Sequence, residues 1–326
     1  MSVEGQHHHL GDDSPEVIAY QTVLNETGAF QPRAKFQHRY TRHVILFILT
    51  LLTTTFAGWL DYLGFIGTQG LTLPRELLSF SGITNGFWYS VPLLLILGAH
   101  EFGHYFYCRK YGIDASLPYF LPVPLPPAGT FGAVIRIKDP LPSKAALFDV
   151  AVAGPIAGFI VLIPFLMWGM AHSTAVKFEA GAGATYFGEP LLLKLVSWWW
   201  FGPLPAGFDE VLHPTAFAAW FGMLATALNL FPFGQLDGGH IAYAAFGRRA
   251  GMISVATLVG TVMLAVTSVS FILTAAVMLL MAYFLGFRHP HVPDEHVPLD
   301  GRRRLLAILA IIMFALCFMP VPMQQL

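Results

Sequence analysis

The sequence predicts an all-α polytopic membrane protein with about seven transmembrane helices and one short β-hairpin. Three observations predict it. Of the 326 residues, 55% are hydrophobic and only 11% charged, whereas soluble domains carry about 25% charged residues. Apolar runs of the length needed to cross ~30 Å of hydrocarbon recur along the chain. When spans are counted from a cytoplasmic N-terminus, all but Arg75, Lys177 and Lys194 of the 18 Lys and Arg residues fall on that same side, as the positive-inside rule requires.

Residues 1–43 form a polar N-terminal tail. With Glu4, Asp12, Asp13, Glu16 and Glu26 and no apolar core it does not read as a signal peptide or an acid-poor transit peptide, and the tail is expected to be cytoplasmic and partly disordered, His7 to His9 included. The basic run Arg33, Lys35, Arg39 and Arg42 precedes the first span, Val44 to about Phe65. That span and the outer connection Gly67 to Asn85 make up a unit over 44–85. A core over 86–240 follows and opens with a helix from Gly86 to about Tyr107 that contains HEFGH. From Gly112 to Ser143 proline is too frequent for helix, and GTFGAVIRI within it reads as a short strand with an open edge.

The third span, Ala145 to about Met170, contains AGPIAG, whose Gly154 and Gly158 form a small-xxx-small pair assigned here to helix packing. Asp149 near its start reads first as a side chain reaching the interface, with pairing to a basic loop residue or orientation of the site as the alternative. The stretch Leu191 to Phe201 is too short to cross and carries Lys194, so it reads as an interfacial or re-entrant anchor with an aromatic belt. A fourth span, about Val211 to Leu230, ends in NLFPFGQLDGGH, where Pro232 breaks the helix and frees backbone carbonyls. The remaining unit, 241–326, holds the basic pair Arg248 and Arg249 and a 35-residue apolar run from Met252 to Gly286. Two short helices turning near Thr267 to Ser270 return Arg288 and Arg302 to Arg304 to the side of the other basic residues; one long helix would not. A last span runs from Leu305 to about Phe318.

His100 and His104 lie four residues apart, so a helix stacks both on one face with Glu101 beside them. A charged residue at the centre of a membrane helix costs roughly 2.5–3.5 kcal/mol, and a metal ion offsets that cost. Asp237 reaches the same depth from another segment and supplies a third ligand, leaving a fourth position open as in catalytic zinc sites. The expected cofactor is one Zn²⁺ per chain, with iron, cobalt and manganese left open by the donor types. A metal there acidifies water toward a pKa of ~7, Glu101 takes the proton and hands it to a leaving amine, and the chemistry is peptide hydrolysis. His240 reads as a possible support to Asp237. His289, His291 and His296 fall in a proline-broken linker, and His172 and His213 on the opposite side of the membrane. Cys108 and Cys317 are directed to opposite faces and are too few for a thiolate metal site.

The combination of HEFGH in one span, AGPIAG in the next and NLFPFGQLDGG in a later one resembles the site-2 protease family of intramembrane zinc metalloproteases. GTFGAVIRI just before AGPIAG is closest to the branch without an inserted PDZ domain, which includes plant plastid and bacterial members. The resemblance covers about Gly86 to His240. It implies that His100, His104 and Asp237 hold zinc and that Glu101 is catalytic. It further implies that Asn229 contacts the substrate carbonyl, and that the membrane-associated hairpin next to the active site binds an unwound substrate by strand addition through Gly129, Thr130, Phe131, Gly132 and Ala133. FPFGQLDGG departs from the family's commoner proline-rich wording at that loop. The expected function is cleavage of a transmembrane protein substrate in or near its membrane segment. The expected place is a cell membrane, multi-pass, with the N-terminus and the active site toward the cytoplasm. The bilayer is a partner and nucleic acid is not. Two other readings are a metal-ion transporter, disfavoured by the lack of a polar route through the outer halves of the spans, and an inactive scaffold, disfavoured by Glu101.

Overall fold

A computed structural model describes residues 35–69, 74–177, 185–266, 269–285, 292–319 and 323–325. Residues 1–34 of the predicted tail, with the His7 to His9 tract, and His289 and His291 lie outside the described residues, whereas the tail's last residues, Tyr40 to His43, already belong to the first helix. In chain order the helices are α1 (Tyr40–Thr68), α2 (Phe87–Lys110), α3 (Lys144–Ala171), α4 (Leu191–Phe201), α5 (Pro214–Leu230), α6 (Asp237–Phe246), α7 (Ala250–Ala265), α8 (Val269–Leu285) and α9 (Gly301–Cys317). Strands β1 (Tyr119–Pro122) and β2 (Thr130–Val134) lie between α2 and α3; β3 (Thr174–Lys177), β4 (Thr185–Phe187) and β5 (Phe208–Val211) surround α4; β6 (Met323–Gln325) closes the chain. The strands form three antiparallel pairs, β1 with β2, β3 with β5 and β4 with β6.

Among the described residues four helical stretches are long and apolar enough to cross a membrane: Tyr40–Thr68, Phe80–Lys110, Lys144–Ala171 and Asp237–Ala265. The last bends at Gly247, which has φ +58°, so α6 and α7 are separate helices. The 17-residue helices α5, α8 and α9 stand where the other predicted spans were placed, each about 25 Å long at 1.5 Å per residue. The 252–286 run is two helices, as the charge argument requires, and α4 is an 11-residue helix too short to cross. Polytopic helical architecture with a short hairpin is therefore the observed fold.

The helix α2 is central. Tyr89, Leu93, Ile96 and Leu97 make a buried stripe at helical spacing, and His100 and His104 continue it toward the C-terminal end. That stripe packs on Leu162, Leu166 and Met170 of α3 and on Ala216, Trp220 and Met223 of α5. Local chemistry sets the helix ends. Ser143 caps α3 by accepting the Ala146 N–H at 3.0 Å, Asp300 caps α9 by accepting from Arg303 at 2.9 Å, and Pro214 occupies the first turn of α5. At its other end α5 stops two residues before Pro232.

The β1–β2 hairpin pairs Tyr119 with Val134 and Phe120 with Ala133, and an isolated bridge between Ala115 and Ile137 prolongs it. Three hydrogen bonds hold it to α1 and α2. Thr53 Oγ1 donates to the Gly129 carbonyl at 2.7 Å, the Tyr89 hydroxyl donates to the Ala128 carbonyl at 3.0 Å, and His43 Nδ1 meets the Pro118 carbonyl at 3.0 Å.

Candidate active site

Three donor atoms converge between α2 and the start of α6. Nε2 of His100 and Nε2 of His104 are 3.1 Å apart, and Asp237 Oδ2 is 3.2 Å from the first and 3.3 Å from the second. Among the described residues no other trio of His, Cys, Asp or Glu brings its donor atoms so close. A tetrahedral ion with bonds of about 2.0–2.1 Å places its ligands about 3.3 Å apart, so these spacings fit one zinc ion. Electron count agrees. His104 Nδ1 lies 2.8 Å from the Val150 carbonyl; the hydrogen must sit on Nδ1, which leaves Nε2 as a lone pair aimed at two other electron-rich atoms. His100, Glu101 and His104 are each 6–7% exposed, and a dication balances the carboxylates of Glu101 and Asp237 in that dry setting.

Local structure positions each ligand. Helical spacing in α2 sets the histidines; the chain break after α5 sets Asp237. The sequence reading placed Asp237 on irregular backbone, whereas it is the first residue of α6, and the irregular segment is the preceding 231–236. The positive end of the α6 dipole suits a carboxylate there. Asn229, at the end of α5, has Nδ2 3.3 Å from His100 Nε2.

These residues border a cleft of about 210 Å³, together with Ala133, Val134, Ile135, Ile137 and His240. Ile135 thus lines the same cleft as Glu101. Of the five hairpin residues named from the sequence, the structure brings Ala133 to the cleft. Gly129 lies against α1, the Thr130 hydroxyl turns back onto the Leu121 carbonyl at 2.7 Å, Phe131 is 82% exposed, and Gly132 carries the positive φ of +100° that curves the strand. Sequence reasoning missed Val134, Ile135 and Ile137, although period-two alternation starting from Ala133 points to Ile135 and Ile137. His240 does line the cleft, as its position three residues past Asp237 suggested.

Two further readings change. AGPIAG was assigned to packing alone, yet its glycines abut the ligands. A Cβ on Gly154 would lie 2.1 Å from His104 Nε2, and one on Gly158 would lie 3.1 Å from His100 Cβ. Asp149 was read as a side chain reaching the interface. It instead accepts a forked pair from Arg303 of α9, Nε to Oδ1 and Nη2 to Oδ2, both at 2.8 Å, and a 2.6 Å bond from the Tyr111 hydroxyl. No sequence pattern in the helix itself announces a partner 154 positions away.

Comparison with known proteins agrees with this geometry. The chain is 32% identical over 233 residues to the probable zinc metalloprotease EGY2, chloroplastic, of Arabidopsis thaliana, covering 70% of this chain and 40% of that protein. It is 30% identical over 254 residues to the probable zinc metalloprotease EGY1, chloroplastic, of the same plant, covering 72% and 44%. It is 30% identical over 289 residues to that plant's probable zinc metallopeptidase EGY3, chloroplastic, covering 83% and 48%. The chain thus spans less than half the length of these curated relatives. The model of Peptidase family M50 matches residues 88–273, which takes in HEFGH, AGPIAG and the LDGG segment. With this match, and with relatives of the plastid type that its motifs pointed to, the chain belongs to Peptidase family M50.

Proposed function

We propose that this protein is a zinc-dependent intramembrane endopeptidase that hydrolyses a peptide bond in or near the transmembrane segment of a membrane-protein substrate. The observation that carries the reading is the triangle of His100, His104 and Asp237 donors with Glu101 beside it, set in a helical stretch long enough to cross a bilayer. When bound, zinc supplies a Lewis acid and lowers the pKa of water toward ~7.

The chain's own residues do the rest. Glu101, next to the ligands and lining the cleft, takes a proton from water and delivers it to the leaving amine. Asn229 turns its amide toward the site and donates to the developing oxyanion. Ala133 and Val134 of β2, with Ile135 following them, border the cleft, and the edge of β2 away from β1 carries no strand among the described residues. An unwound substrate adds there as a further strand, its scissile amide held over the cleft. A helix must open before its amides can be attacked, because their N–H and C=O groups are otherwise engaged.

The protease core is residues 86–240. The distribution of Lys and Arg supports a cell-membrane protein with its N-terminus and active site facing the cytoplasm. Side-specific labelling of cysteines placed at Lys194 and Arg248 checks that orientation, because both native cysteines are buried.

The test is to purify the wild type and Glu101→Gln, measure bound zinc, and incubate each in proteoliposomes with a panel of single-span membrane proteins. Both proteins are expected to hold one zinc per chain, and Glu101→Gln to lose about 100-fold or more of the cleavage rate. Cleavage by Glu101→Gln at the wild-type rate would remove Glu101 from the chemistry.

A further inference from the structure

A second cavity, of about 690 Å³, lies between α1, α5 and the β3–β5 ribbon and shares no lining residue with the zinc cleft. Such a volume is typical of pockets that hold organic molecules rather than single ions. Much of its wall is apolar, with Phe65, Phe187, Phe217 and Trp220 contributing aromatic rings. Its ionisable lining is lopsided: four carboxylates, Asp61, Glu189, Asp209 and Glu210, against the one ammonium of Lys177.

Three of the four carboxylates are engaged. Glu189 faces Lys194 at 3.8 Å, Asp209 accepts the Glu210 N–H at 2.8 Å, and Glu210 accepts from the Ser197 hydroxyl. Asp61 is different. It sits within the membrane-crossing helix α1, its Oδ2 is sealed from solvent, and that atom has no hydrogen-bond partner among the described residues. A carboxylate oxygen buried in a membrane helix without a partner is costly, and a bound ligand or counter-ion removes that cost.

The shape of the cluster decides which cation fits. A divalent metal gathers several oxygens within 2.6 Å of one point. Among the described residues, only the zinc trio brings three metal-ligating groups within 4.8 Å of one another. The acids here are dispersed around an apolar chamber, an arrangement that matches a single positive charge on an apolar body, with aromatic walls adding cation–π attraction.

We propose that this cavity binds a monovalent organic cation, an ammonium or guanidinium carried on an apolar stem, with Asp61 as its counter-ion. The site stands independently of the peptidase reading. Glu189 and Glu210 line the same cavity and add to its attraction for a cation.

The full chain in zwitterionic nanodiscs is titrated with benzylamine and, separately, with benzyl alcohol, its neutral counterpart. Saturable benzylamine binding is expected, weakened about tenfold or more in Asp61→Asn, with little binding of the alcohol and unchanged zinc content. Glu189→Gln, in the same lining but already facing Lys194, gives a smaller loss and keeps the test open should Asp61→Asn fold poorly. The peptide acetyl-Ala-Lys-Ala-amide distinguishes the sources: displacement of benzylamine assigns the site to a Lys or Arg side chain, and benzylamine binding without displacement assigns it to a free amine. Absence of saturable benzylamine binding, equal affinity in the wild type and both variants, or equal affinity for the alcohol overturns the proposal. So does Asp61-dependent binding of calcium chloride in place of the amine.

Discussion

One hydrogen atom at Gly154 leaves room for the His104 ring. A Cβ there would meet Nε2 at 2.1 Å, inside any permitted contact, and the methyl would sit on a backbone fixed against α2, where Gly103 would bring a Cβ to 2.5 Å from the Ala153 carbonyl. Gly154→Ala is therefore expected to displace the imidazole and lower bound zinc from one per chain to near zero, with helical content kept. Gly158→Ala, at 3.1 Å from His100 Cβ, is expected to lose part of it. Metal analysis of the two purified variants against wild type checks the ranking; equal zinc in all three would show that α3 can withdraw from the site. The ligands themselves were legible because helical period ties His100 to His104, and Asp237 was legible because Pro232 signals broken helix at the same depth. The glycines' task was not legible: a small-xxx-small pair says that a helix comes close and leaves unsaid which side chain it meets.

Between elements, the first turns of α3 carry Val150, whose carbonyl orients His104, and Asp149, which Arg303 of α9 clamps. The last long helix thereby steadies a zinc ligand that it does not touch. Arg303→Ala is expected to weaken zinc affinity about tenfold or more. Arg303→Lys, which cannot form the fork, falls between, and competition with a zinc chelator of known affinity gives the values. Affinity unchanged in Arg303→Ala would confine the clamp to packing. Across the molecule, burial pushes the Glu210 carboxyl in β5 up to about 7, opposed by the Ser197 hydrogen bond and reinforced by the charges of Glu189 and Asp209. The folded state then holds this proton more tightly than the unfolded chain, whose carboxyl titrates near 4.5. Its contribution is fully present below pH 4.5 and is lost as pH rises through 7. Thermal unfolding between those limits is expected to show a falling midpoint that Glu210→Gln flattens. An identical pH slope in that variant would assign the dependence to another group. The elements were largely foreseeable, including the two helices after Gly251 and the short α4, because length and charge placement decide them. Ion pairs between distant helices were not, since they depend on packing angles that no local pattern encodes.

The molecule as a whole is sewn together at its chemical centre. His100 and His104 belong to a helix in the first third of the chain and Asp237 opens a helix in its last third, so one ion bound by all three ties segments that α3, the hairpin, α4 and α5 separate in sequence. Glu101, Asp237 and both imidazoles are crowded around one buried point, and no disulfide joins these segments, both cysteines being free. Zinc held by the three would then act as a structural rivet as well as a reagent. Stripping it is expected to lower the unfolding temperature even of Glu101→Gln, by an amount that grows with the free zinc used in the control. Under the proposed function, a chelator would accordingly register two losses at once, of chemistry and of shape, and only Glu101→Gln separates them.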